Sequence, residues 1–218
     1  MVTTGGSICW HVSRHGAFSA TQAALAFFLG LNFIVCMWEL VLFAEIKQIE
    51  EKCRFYSEQF KGSPLDIAVG VFTMDVHPGN VFSSKLWLEL WACYSAFDAS
   101  YADRQSFGYF IDVGNGFSTL VPTLMFLVGM TAHGAGGYVL PLSARTLGVV
   151  GLLFFYQMLY GTCIYFFSFL RNERYTKLTL FEFVSFVLLT NGLWFFFPLL
   201  GMLASWELVQ TDSFAVFL

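Results

Sequence analysis

The sequence predicts an all-α integral membrane protein: a four-transmembrane-helix bundle with an interfacial helix and a long loop between spans one and two. Three observations carry this. The 218 residues are 57% hydrophobic, 19% aromatic and 12% charged, with a mean hydropathy of +0.65, a balance in which most apolar surface faces lipid and not a water-excluded core. Four apolar segments, about 23–43, 107–130, 147–170 and 178–203, reach the roughly 20 residues a helix needs to cross the hydrocarbon layer. Most of the charge falls between the first two of them. The net charge of −4 excludes a nucleic-acid partner, which needs a basic face.

Residues 1–22 form a polar N-terminal segment with His11, Arg14 and His15, and no acid precedes Glu39. This fits an organellar presequence weakly, because such presequences are Arg-rich; an exposed terminus is the other reading. Residues 23–205 form the membrane domain and 206–218 a tail. Glu39 sits near the end of span one, where it either snorkels to the interface or faces a pocket.

The insertion 45–106 opens with the mixed charges of Glu45-Ile-Lys-Gln-Ile-Glu-Glu-Lys, which suit a helix leaving the membrane, and breaks at Pro64. Ile67–Met74 is too short to span. His77-Pro-Gly-Asn80 is a turn, and Lys85–Ala92, with two Trp, reads as a helix at headgroup level. Span two contains Gly114, Gly116 and Pro122, whose backbone neighbouring helices must compensate. It also carries Asp112 and Asn115, an i,i+3 pair on one face. An ionisable residue in a membrane-length segment is costly, so it is normally buried against protein and often functional.

The connector His133-Gly-Ala-Gly-Gly137 lacks the G-x-G-x-x-G spacing of a phosphate cradle. Span three has Gln157, Tyr160 and Tyr165 as its polar groups; the loop Arg171–Lys177 leads to span four, where Glu182 is placed to complement the helix dipole and Asn191 and Trp194 share a face. Nine of the 11 Lys and Arg fall in the two loops opposite the termini, which by the positive-inside rule puts the termini outside the cytosol or matrix. The five cysteines form no C-x-x-C pair and read as reduced packing residues. His133 and His77 have no second His or Cys at ligand spacing, so no metal site is read, and no cofactor is implied.

Trp91, Tyr94, Asp98 and Tyr101 form the pattern W-x-x-Y-x-x-x-D-x-x-Y ahead of span two. Tyr160-Gly161 with Tyr165-Phe166 follows in span three, and Asn191, Leu193, Trp194 and Pro198 in span four. In this order, over residues 87–200, these motifs resemble those of the emopamil-binding-protein family, the four-span EXPERA domain that includes the sterol Δ8-Δ7 isomerase and the sigma-2 receptor. Ungapped, the family's intramembrane Glu falls on Asp112 and its Thr on Asn115. The family's Gln in span three falls on Met158, with Gln157 one place away.

The resemblance implies an intramembrane pocket, with Asp112, Asn115, Tyr160, Asn191 and Trp194 as candidate ligand-binding residues and Asp112 as the candidate catalytic acid. Isomerisation requires a proton donor and acceptor in a dry site. Two departures weigh against it. Asp112 is one methylene shorter than the Glu it replaces, and aligning on Glu39 puts Val35 where the isomerase has its first-span His. Asp112 and Asn115 read equally as a structural hydrogen-bond node toward Gln157 or Asn191.

The sequence therefore points to a divergent, non-catalytic member: a sterol- or lipid-binding protein, or a structural accessory subunit that docks other membrane subunits through 45–106. The alternative is a sterol Δ8-Δ7 isomerase. The resemblance implies the endoplasmic reticulum; the acid-free N-terminus permits the mitochondrial inner membrane as the alternative.

Overall fold

The computed structural model describes residues 2–61, 63–133 and 142–218. Among the described residues every regular element is helical and none is a strand; the main helices are α1 (Val2–His15), α2 (Ala20–Gln59), α3 (Pro64–Phe72), α4 (Ser84–Phe97), α5 (Phe107–Ala132), α6 (Ala144–Arg171) and α7 (Leu180–Thr211). Four of them, α2, α5, α6 and α7, are long and apolar enough to cross a bilayer. The chain is an integral membrane protein. Residues 134–137 of the connector lie outside the described residues.

Small polar side chains set the helix starts. Ser19 accepts from Gln22 N at the head of α2, Ser83 from Leu86 N at α4, Ser106 from Tyr109 N at α5 and Ser143 from Thr146 N at α6; each satisfies an otherwise orphaned amide. Ser63 caps α3 with Pro64 at its first position, where proline's missing N–H costs nothing. α1 stops at Gly16, which takes a positive φ of 71°, a conformation open to glycine.

The helix that leaves span one is continuous with it. α2 runs 40 residues, about 60 Å at 1.5 Å per residue, and so extends far beyond a hydrocarbon layer of about 30 Å. Span four begins at Leu180, and α7 continues to Thr211 beyond the 203 expected. Its tail ends in a short 3-10 turn, Ala215–Phe217, whose Phe217 is fully buried.

The chain forms two compact units, each drawing on all four spans. The first comprises Met1–Cys36, Ser118–Thr162 and Leu193–Leu218. Its core joins Leu25, Phe28 and Leu29 to Phe126, Met130, Leu147, Phe154, Phe155, Ala204, Leu208 and Phe217. Small residues bring α6 against α7: a Cβ at Gly148 would lie 2.6 Å from the Ser205 carbonyl oxygen, and one at Gly201 would lie 2.5 Å from the Phe155 ring. Close backbone approach of this kind is how membrane helices gain packing energy without a hydrophobic drive.

The N-terminal segment is seated on this unit. Gln22 Nε2 donates to Ser7 Oγ (2.8 Å), which pairs with Thr131 Oγ1 (2.6 Å). His11 lies 4.7 Å from His15, His15 stacks on His133 at 4.8 Å, and His133 stacks on Phe214 at 4.7 Å. Sequence spacing does not reveal this trio, because the third ring comes from the far end of span two.

Burial, then the neighbouring His15, holds His11 below the ordinary imidazole range; burial also lowers His133, against the opposing Met130 carbonyl. Seated α1 therefore favours neutral rings, so this contribution is complete above about pH 6.5 and is lost as pH falls through the lowered values. Hydrogen exchange is expected to show the amides of Val2–His15 well protected at pH 7.5 and losing protection by about tenfold at pH 5.5, with the α6 amides unchanged.

The second unit comprises Met37–Phe117 and Cys163–Gly192. Here α4 is pinned to α2 by indole hydrogen bonds. Trp38 Nε1 donates to Trp87 O (2.9 Å) and Trp91 Nε1 to Trp38 O (2.8 Å), with the Trp38 and Trp91 rings stacked at 4.2 Å. Farther along α2, Lys52 pairs with Glu89 at 3.0 Å and Tyr56 OH donates to the same carboxylate. α3 packs Ile67, Ala68 and Val71 against Tyr56, Ala92, Cys93 and Phe97.

Candidate functional site

The motif Trp91–Tyr101 folds into one packed cluster in the second unit. α4 ends at Asp98, which leaves the helix in an extended conformation and accepts from Ser100 N at 3.0 Å, so the chain turns through a 3-10 segment, Ala99–Ala102, and returns Tyr101 to the same side. The ring of Trp91 lies 5.5 Å from Tyr101 and 6.1 Å from Tyr94. Tyr94 and Tyr101 are 5.0 Å apart, and Tyr101 meets Tyr165 of α6 at 5.9 Å. Offset and edge contacts at these distances are favourable for aromatic pairs.

Asp98 is the electrostatic centre of this cluster. Its side chain is 0% exposed; Arg174 Nη1 donates to both its oxygens (2.8 and 3.0 Å) and Tyr165 OH to Oδ2 (2.8 Å). Arg174 also donates to Ser168 Oγ at 3.0 Å and lies over the Phe169 ring at 5.2 Å. A buried carboxylate needs this degree of compensation. With four hydrogen bonds from Arg174, Tyr165 and Ser100 already engaged, Asp98 is a poor candidate for proton exchange with a substrate.

Asp112, half-buried on α5, acts electrostatically on both Tyr94 and Tyr101. Burial pushes the Tyr94 hydroxyl up to about 12, opposed by hydrogen bonds with Thr190 and Asn191 and reinforced by the charges of Asp112 and Asp98. Burial, followed by Asp112, holds Tyr101 well above the usual phenol range. Both phenols therefore remain protonated at neutral pH and serve as hydrogen-bond groups, not as acids.

Asn191 reaches the cluster through a π-helical turn, Phe183–Leu188, in α7. The wider turn disrupts the regular backbone ladder, and the Asn191 amide donates to Val187 O (2.9 Å) and to Tyr94 OH (2.9 Å). Replacing Tyr94 by Phe is expected to remove the second bond and lower stability by about 0.5–1.5 kcal/mol, read as a midpoint shift on thermal unfolding in nanodiscs. The turn itself starts from a capping box: Glu182 accepts from Thr179 N and Oγ1, each at 2.8 Å, while Thr179 Oγ1 accepts from Glu182 N. Glu182 is structural.

The expected site residues divide between the units. Asp112 and Asn191 meet around Tyr94. Asn115 is half-buried one turn after Asp112 on α5. Trp194 belongs to the first unit, where its Nε1 donates to Asn32 Oδ1 (2.8 Å), Asn32 Nδ2 donates to Thr123 Oγ1 (2.8 Å) and Thr162 Oγ1 donates to Trp194 O (3.2 Å). This chain ties four spans together by side-chain bonds. Tyr160 stands 53% exposed beside Tyr156 and joins neither group. Gln157 donates to Ser118 and so links spans three and two. Glu39 is buried, 4% exposed, and does not snorkel.

Sequence reasoning placed Asp98 in a motif but missed its partner. Arg174 reads as one of several loop cations, and nothing in its spacing singles it out from Arg171 or Lys177. Trp38 was also missed; its signal was the lone indole five residues before the end of the apolar run in span one.

Fold and site together define a four-span, all-helical membrane protein with a buried aromatic and carboxylate cluster in its second unit. No family model, no curated protein and no solved structure matches the chain.

Proposed function

We propose that the chain is a divergent, non-catalytic EXPERA-like membrane protein that binds a sterol or other amphiphile at the cluster of Tyr94, Tyr101, Asp112 and Asn191. One observation carries the reading: the W-x-x-Y-x-x-x-D-x-x-Y residues, scattered over eleven positions, pack as a single group whose fully bonded Asp98 supports aromatic faces beside a second carboxylate. Such a group suits an amphiphile whose polar end meets phenols and an amide while its apolar body lies against rings. Asp98, committed to Arg174, and the phenols, which hold their protons, are poor proton donors, and the arm of Asp112, one methylene shorter than the family's Glu, is what weighs against transfer there.

The test is sterol retention by the full chain purified in nanodiscs, compared with Asp112→Ala and Tyr94→Phe. Retention in the parent chain, reduced about tenfold in either variant, is the expected result; equal retention in all three overturns the reading.

A second reading, an accessory subunit of a membrane assembly, is favoured by the open groove beside α2 and α4. This groove, about 480 Å³, is lined by Gln48, Glu51, Lys52, Phe55, Lys85, Leu88 and Glu89, a mix of ring, stem and both charge signs that suits a protein rim. Stoichiometric co-purification with other membrane subunits would support it, and an isolated chain in native-mass analysis would oppose it. If instead a Δ8 sterol is converted to the Δ7 isomer, and Asp112→Ala abolishes this, the chain is an isomerase and the non-catalytic reading fails.

A further inference from the structure

The short helix α3 has no polar face. From Pro64 to Phe72 its one charged residue is Asp66, in the first turn. Ile67, Ala68 and Val71 are buried against Tyr56 and the α4 side chains Ala92, Cys93 and Phe97. Leu65, Val69 and Phe72 point away from that cluster at 39%, 55% and 67% exposure, and Met74 follows at 41%. A helix apolar on both faces is not stable against water; it needs a second apolar neighbour.

Its depth is set by what its buried face touches. Leu178 and Phe186 pack against the same cluster, and Phe186 stacks on Phe97 at 4.1 Å. Leu178 lies two residues before span four and Phe186 within its first two turns. At that level span four presents Leu180 and Phe181 outward at 78% and 62% exposure, the surface with which it meets lipid. The apolar stretch from Ile67 to Met74 is bounded by Asp66 before it and Asp75 after it, the arrangement of a segment whose ends return to water.

We propose that α3 is a membrane-dipping helix: its outer face, Leu65, Val69 and Phe72, inserts into the boundary between headgroups and acyl chains of the leaflet that span four enters. Lipid is the occupant because the patch continues the lipid-facing surface of span four at the same depth, and because an apolar helix lying in the interface plane needs only about 5–10 Å of insertion. The insertion between spans one and two is thereby anchored to the bilayer by its own chain, which fixes α4 and the Trp91–Tyr101 turn at the membrane edge. This does not depend on what, if anything, the aromatic cluster binds.

The experiment places spin labels on the full chain in phosphatidylcholine nanodiscs, with Cys9, Cys53 and Cys163 replaced by serine. Labels go at Val69→Cys and, separately, Phe72→Cys; Leu180→Cys serves as the lipid reference and Glu51→Cys as the water reference. Power saturation is expected to show the two α3 labels accessible to oxygen and shielded from a nickel chelate, as at position 180, with at least a fivefold contrast to position 51. Nickel accessibility like that of position 51 puts α3 in water and overturns the proposal. Shielding from both reagents means that protein, such as a second copy of the chain, covers the face, and this overturns it equally.

Discussion

Replacing Arg174 by alanine is expected to be the most damaging single change in the second unit, with a loss of about 3 kcal/mol. Removing one partner of a buried ion pair costs about 3–5 kcal/mol, because the surviving charge is left in a medium that cannot solvate it. The Asp98 carboxylate is fully buried, while Arg174 is only 16% exposed, so solvent screens the pair little. The low end applies because Tyr165 OH and Ser100 N still donate to Asp98.

The partner change discriminates between mechanisms. If uncompensated charge is the cause, Asp98→Asn combined with Arg174→Ala recovers part of the loss, since the neutral amide is cheaper to bury. Thermal unfolding in nanodiscs reads this directly. A midpoint for Arg174→Ala indistinguishable from that of the exposed control Lys61→Ala would remove Asp98 from the centre of the unit.

Gly148→Leu is expected to cost as much or more in the first unit, by sterics instead of charge. The Cβ alone would lie 2.6 Å from the Ser205 carbonyl oxygen and 2.9 Å from Leu208 Cβ. Backbone cannot step aside as a side chain can, so α6 and α7 would have to separate, which overpacking penalties of about 1–3 kcal/mol describe as a lower bound. Gly192→Ala in α7 is the contrast: its Cβ would meet nothing within 4 Å, and removing a glycine from a helix is expected to gain about 0.5–1 kcal/mol. Loss of the folded, detergent-monodisperse form in the first variant and not in the second is the checkable outcome; equal yields and midpoints would contradict the close approach.

Much of this architecture was legible because lipid imposes a strong rule. Backbone polar groups must be satisfied within the segment, so long apolar runs are helices, and the ranges of spans two and three were readable to within three residues at each end. The serines that cap the helix starts were not read from the sequence, which placed the spans by apolar length alone. What the sequence could not show is which side chains meet across spans. Asp98 and Arg174 are 76 positions apart, His11 and His133 are 122 apart, and no local period encodes such pairs.

The candidate site was legible in part. The spacing of Trp91, Tyr94, Asp98 and Tyr101 does correspond to a spatial group, because the break at Asp98 turns the chain back on itself. Asn191 and Trp194 share a helix face by spacing, yet they engage different partners, Tyr94 for one and Asn32 for the other. Both residues lie in the regular helix that follows the π turn and keep their shared face; counting could not show that successive levels of that face meet different partners.

The central claim is that the second-unit cluster holds an amphiphile without transforming it. Its most direct test is to load the full chain, in nanodiscs, with a Δ8 sterol, determine the bound mass per chain by native mass spectrometry, and read the double-bond position of the sterol recovered afterwards. One sterol per chain, recovered unchanged as Δ8 and depleted about tenfold in Asp112→Ala, is the predicted result. Recovery of the Δ7 isomer from the parent chain but not from Asp112→Ala, or no sterol retained at all, would contradict it.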